Sequence, residues 1–185
     1  WFYSTFPSLR LQIRLRLGSI LQNYSVTFSK KTCIKETLEI VCEIVKGMRR
    51  PIARANMTLL KKLLMPLHKP NSMYEWRDQI PTLEIYHEPL VCSIAKFVQI
   101  DPSLLPEMIA EMISYWPEGF QSNTPKEVLL LHEVEILLKY ANAQIFPKIL
   151  PVIFPKIVKC LKVENSRVVQ KALYMWKDEH FVELL

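Results

Sequence analysis

Apolar residues recur every three or four positions along nearly the whole chain, the spacing that gathers them on one face of an α-helix. In "KTCIKETLEIVCEIVKGM", Leu38, Val41, Cys42, Val45 and Met48 make one such stripe, the face that a helix turns toward a core. The pattern predicts helices at roughly 8–24, 33–48, 52–68, 85–100, 103–116, 125–141, 145–162 and 166–183. Strand signals are nearly absent, because no alternating run is bounded by a hairpin dipeptide and the chain has only 3 glycines.

Local chemistry sets the predicted ends. Gly47 is placed to close the second helix in a left-handed conformation, with Pro51 just beyond it. Asp101 before Pro102, and Thr124 before Pro125 with Glu127 behind it, read as helix starts, the second in capping-box form. Pro147, Pro151 and Pro155 fall on one face, and each removes a backbone donor, so a curved or broken helix with its proline edge on the convex side is expected.

The helices group in pairs of about 35–45 residues, the period of stacked helical hairpins. In "FPKIVKCLKVENSRVVQKALYMW" an apolar helix leads through Asn165 to a second helix carrying Arg167, Val168 and Ala172, an order that resembles the HEAT-repeat pattern. The expected fold is all-α, an α-α superhelix of HEAT/armadillo-like hairpin repeats, with residues 1–185 forming one repeat segment. The chain opens at Trp1 without a leader pattern, which leads to the expectation of a piece of a longer solenoid.

Ile40 and Ile44 lie nearly opposite the core stripe of the second helix. A helix facing a single core has no use for a second apolar stripe. The pair either touches the neighbouring repeat, which periodicity alone favours, or forms a docking pocket.

Composition sharpens this picture mainly through charge. The formal net charge is +6, but residues 1–70 hold 13 Lys/Arg against 3 Asp/Glu while residues 71–185 hold 11 against 15. A basic end attracts anions in general, acidic peptides as well as nucleic acid. Single-strand binders interleave cations with aromatics. Here Trp76, Trp116, Trp176, Tyr86, Tyr115 and Tyr174 sit in the acidic part, where they read as core anchors between repeats. Apolar runs are interrupted by Lys148, Lys156 and Lys159 before they reach the ~20 residues a bilayer requires. Cys33, Cys42, Cys92 and Cys160 are widely spaced, without a C-x-x-C pair, and are expected to be buried thiols of a reducing compartment rather than a zinc site or a disulfide framework.

Candidate catalytic groups fail on geometry. His132-Glu133 resembles half of a zinc-protease helix, but that motif needs a second histidine one turn on, where Ile136 stands. His87-Glu88 and Glu179-His180 are adjacent pairs, which point about 100° apart on a helix and do not form acid–base couples. No Gly-rich phosphate loop or nucleophile motif is found, and nothing in the pattern asks for a cofactor.

Several separated stretches agree on one resemblance. "LLMPLHKP", "YHEPLVCSIAKFV", "ISYWP" followed by "TPKEVLLLHEVEIL", and "ALYMWKDEHFVELL" are similar, in this order and spacing, to the regulatory B-prime family of protein phosphatase 2A. The resemblance implies a non-catalytic, cytoplasmic or nuclear regulatory subunit of a Ser/Thr phosphatase. Its partners would be the scaffold and catalytic subunits and substrate proteins carrying a Leu-x-x-Ile-x-Glu type motif, held in a groove between repeats. It puts Ile40 and Ile44 in the apolar slot of that groove and Arg14 at a cationic position, and suggests subunit contact at the loop around Glu118 and Lys126. It also shows departures: Gly18, Ser19 and Leu21 stand where the family has a His-Arg-x-Tyr stretch, Asn56 stands at a family histidine, and about one helix is missing between Leu21 and Glu39. Loss of that arginine removes a charge-assisted partner for a peptide carboxylate. The rival reading is a helical-repeat adaptor that binds another acidic partner, cargo or RNA through the basic end.

Overall fold

The computed structural model describes residues 6–27, 33–69, 81–118 and 124–185. Trp76 and the tip of the loop after Glu118 lie outside these residues. The elements are α1 (Pro7–Thr27), α2 (Ile34–Lys46), α3 (Arg54–Leu59), α4 (Thr82–Ile100), α5 (Leu105–Ser114), α6 (Thr124–Leu138), α7 (Phe146–Leu161), α8 (Ser166–Tyr174) and α9 (Glu179–Leu184). No strand occurs among the described residues.

Packing follows the order of a stacked-hairpin array. Helices α2, α4, α6 and α8 lie one against the next in a row, and behind them the turn over Met65–His68 that follows α3 packs on α5, and α5 on α7. Every second helix is therefore a neighbour, as expected when hairpins pile side by side. Helix α1 rests on α2 and on the turn that follows α3. The predicted core stripe of α2 is buried, with Leu38, Val41 and Val45 at 0–1% exposure. Tyr86 and Trp116 are core anchors as expected, and the Tyr86 hydroxyl donates to the Leu67 carbonyl at 3.0 Å. Tyr174 is not; it is exposed, with the Lys177 ammonium 4.6 Å from its ring.

Several ends differ from the sequence reading. Gly47 keeps a right-handed conformation (φ −82°), because its N–H and that of Met48 close the helix with short bonds to Ile44 and Val45. After α3 the chain widens into a π turn over Leu60–Leu64 and tightens into a 3-10 turn over Met65–His68. Pro66 lacks the N–H that a regular helix needs there, which accounts for the change of winding. The last predicted helix is interrupted, since Asp178 adopts an extended backbone and accepts the Phe181 N–H at 3.1 Å, starting α9. Asn165 caps α8 through the Arg167 N–H at 3.0 Å, and Asp101 accepts from Ser103.

Helix α7 is continuous rather than broken. Pro147, Pro151 and Pro155 all face outward while Ile149, Ile153, Ile157 and Cys160 are buried, so the carbonyls deprived of donors are on the solvent side.

The cysteines depart further from expectation. A disulfide joins Cys42 of α2 to Cys92 of α4, with Cα atoms 6.2 Å apart. Their separation of 50 residues gives no hint of it, and the packing of α2 on α4 creates it. Cys160 is a free buried thiol as expected, whereas Cys33 is free but exposed.

Candidate functional site

Helices α1, α2 and α4 enclose an open trough of about 1250 Å³. Helix α1 contributes Arg10, Ile13 and Arg14 along one side. The second apolar stripe of α2, Ile40 and Ile44, lines the other, with Met48 beyond it. Ile40 is 51% exposed and Ile44 half-buried, in contrast with Leu38, Val41 and Val45, which are sealed on the opposite face of the same helix. Helical spacing is the cause: Ile40 and Ile44 are one turn apart and share a face, and among the described residues no third helix covers it.

Arg14 is held by its neighbour. Its Nη2 donates to Asn56 Oδ1 at 2.8 Å, and Asn56 is itself buried at the foot of α3. The amide oxygen thus fixes a guanidinium beside the apolar slot. Charge in the trough is mixed and balanced: Arg10 and Arg14 of α1 and Lys35 and Lys46 of α2 line it together with Glu36, Glu39 and Glu43 of α2 and Glu88 of α4. The three other departures noted in the sequence lie elsewhere. Leu21 is in the core, Ser19 is exposed, and a Cβ on Gly18 would meet Leu63 Cδ1 at an ordinary 3.6 Å.

The subunit-contact candidates occupy two environments. Glu118 is exposed and bridges to Lys156 and Lys159, whose hydrogen bonds and charges hold its carboxyl below the usual range. Lys126 is only 2% exposed, so a contact there would run through its neighbours. Close by, the Trp116 indole N–H donates to Glu127 at 3.2 Å, and burial raises that carboxyl despite the bond.

The residues around His132 separate. His132 and Glu135 meet Lys171 of α8 at the surface, whereas Glu133 points into the core. There Glu133 lies 3.0 Å from His68 Nε2 and 3.5 Å from His87 Nε2, and His68 Nδ1–H donates to the Met65 carbonyl at 2.9 Å. Burial favours a neutral Glu133, but the His68 charge and its hydrogen bond prevail and bring the carboxyl down to about 2. Burial likewise works against a charged His68, and Glu133 together with the Met65 carbonyl overcomes it, leaving the imidazole above its ordinary value. His68 Nε2 hydrogen-bonds the carboxylate and so ties the turn after α3 to α6, whereas His87 Nε2 of α4 only approaches it and is buried without a hydrogen bond. Among the described residues no group of three His, Cys, Asp or Glu is placed to hold a metal ion.

This cluster escaped the sequence reading as a unit. Its members are nonetheless visible in "PLHK", "YHEP" and "LHEV", within three of the stretches that carry the resemblance. No described helix is long and apolar enough to cross a membrane.

An array of paired helices with an exposed trough along one row defines a helical-repeat protein. The family model of the protein phosphatase 2A regulatory B subunit, B56 family, matches residues 1–185, and the chain belongs to that family. It is 30% identical over 99% of its length to the phosphatase 2A regulatory subunit pptr-1 of Caenorhabditis elegans, covering 31% of that protein. It is 28% identical over 99% of its length to the human 56 kDa regulatory subunit delta isoform, covering 28% of it. To the 56 kDa regulatory subunit delta 1 isoform of Schizosaccharomyces pombe it is 30% identical over 99% of its length, covering 31%. The chain thus spans about three-tenths of the length of these curated relatives.

Proposed function

We propose that the chain is part of a non-catalytic regulatory subunit of a protein phosphatase 2A holoenzyme, which binds the scaffold and catalytic subunits and recruits substrates through short linear motifs. One observation carries the recruiting role: Ile40 and Ile44 stand open, side by side, next to an Arg14 fixed by Asn56. An apolar slot beside a fixed guanidinium suits an extended peptide with an apolar side chain and a carboxylate a few residues away. Docking then raises the concentration of a nearby phosphosite at a separate active centre. Membership of the family supports the same reading. The exposed Glu118, bridged to Lys156 and Lys159, marks the proposed subunit-facing surface. We place the protein in the cytoplasm or nucleus.

The rival RNA reading has less support in the trough. Arg10, Arg14, Lys35 and Lys46 are matched there by Glu36, Glu39, Glu43 and Glu88, so the lining offers no net positive charge to a phosphate backbone that would run its length. A peptide with a single carboxylate needs only the cation beside the apolar slot.

The test is co-elution of the full-length protein with scaffold and catalytic subunits, together with binding of a labelled acidic–apolar peptide. Ile40→Asp is expected to weaken the peptide at least about tenfold, the effect of about 1.4 kcal/mol, without disturbing co-elution. Failure to co-elute with either subunit removes the regulatory reading. Undiminished peptide binding by the variant removes the trough as the docking site.

A further inference from the structure

Two cysteines lie in the trough. Helix α2 carries Cys42 on the side that packs against α4, where it is 4% exposed. Cys92 of α4 is half-buried and is thus the more exposed of the two residues. Their Cα separation of 6.2 Å lies within the span of a disulfide, and the sulfurs are joined. Both side chains line the open volume, which small solutes can enter. Cys160 differs in being enclosed, and burial, with the Glu127 charge, pushes its thiol up to about 11. Cys33 lies at the head of α2 and is free.

We infer that Cys42 and Cys92 form a reversible dithiol–disulfide site served from the trough, with Cys92 exchanging with a low-mass disulfide such as oxidised glutathione. In oxidation the Cys92 thiolate attacks one sulfur of that disulfide, forming a mixed disulfide and expelling one low-mass thiolate. The Cys42 thiolate then attacks the Cys92 sulfur, closes the Cys42–Cys92 bond and expels the second. Two protein thiols are oxidised, one low-mass disulfide is reduced to two thiols, and the two protein protons pass to the released thiolates. The closed bond ties the wall that carries Ile40 and Ile44 to α4 and restricts its movement. The redox site itself stands whatever the trough binds.

The experiment equilibrates the intact protein in glutathione buffers from reducing to oxidising, quenches with an alkylating reagent and quantifies the digested peptides. Alkylation of Cys42 and Cys92 is expected to fall together with a single midpoint, giving one linked peptide, while Cys160 stays fully alkylated after denaturation. Cys42→Ser should leave a glutathione adduct on Cys92, and Cys92→Ser should leave Cys42 almost free of one, a difference of about tenfold or more if access decides. Independent alkylation of both cysteines across the whole series overturns the site. An adduct on Cys42 as abundant as that on Cys92 overturns the assignment of Cys92 as the exchanging sulfur.

Discussion

At the scale of single residues the strongest electrostatics belong to Glu133 and His68, which are both sealed from solvent. Removing one partner of such a pair leaves a buried charge, at a cost of about 3 kcal/mol or more. Glu133→Gln is therefore expected to destabilise the protein by about that much. The pH dependence has two limits of opposite sign. The depressed carboxyl contributes stability above its ordinary pKa of 4.5, and the contribution is lost as pH falls toward about 2. The raised imidazole contributes fully below 6.5, and its contribution is lost as pH rises through its higher folded value. The stability gap between the native protein and Glu133→Gln should be widest between these two ordinary values, which urea unfolding at acidic, mildly acidic and alkaline pH will measure. A gap independent of pH would mean that packing, not charge, sets the cost.

At the scale of the element, helix ends are governed by side-chain oxygens. Asn165 and Asp178 each accept a first-turn N–H, at 3.0 and 3.1 Å. Replacing either by Ala is expected to cost about 1 kcal/mol in chemical denaturation. The two substitutions should differ in consequence. Asn165→Ala frays the start of α8, which packs on α6, whereas Asp178→Ala acts on α9 alone and permits the continuous helix that apolar spacing predicted. Hydrogen exchange at Phe181 separates the cases: loss of the Asp178 cap should speed exchange there, and loss of the Asn165 cap should not.

At the scale of the molecule, repeats bury their faces against neighbours, and large apolar side chains stay open on the first and the last two of the described helices. Leu11 and Leu15 on α1 are 60% and 65% exposed, and Leu173, Tyr174 and Val182 are 45–50% exposed at the far end. Terminal repeats need polar caps or further repeats to stay dispersed. The isolated segment of 185 residues is accordingly expected to self-associate as its concentration rises. Leu15→Lys combined with Leu173→Lys should suppress that in sedimentation experiments. Unchanged association would direct attention to the trough instead.

The sequence by itself determined the helices, the hairpin order, the core stripe of α2 and the family, because each is written in spacing of three or four residues or in short contiguous motifs. It also singled out Ile40, Ile44 and Arg14, since a second apolar stripe is visible on a helical wheel and the family resemblance marks the cation. It did not determine which stripe stays open, because that depends on whether a third helix arrives to cover it. The Arg14–Asn56 bond, the Cys42–Cys92 pairing and the meeting of His68 with Glu133 join residues 42, 50 and 65 apart across stacked hairpins. Only the tertiary structure decided these, because contacts between separate helices follow from how the hairpins stack, and no local period records that.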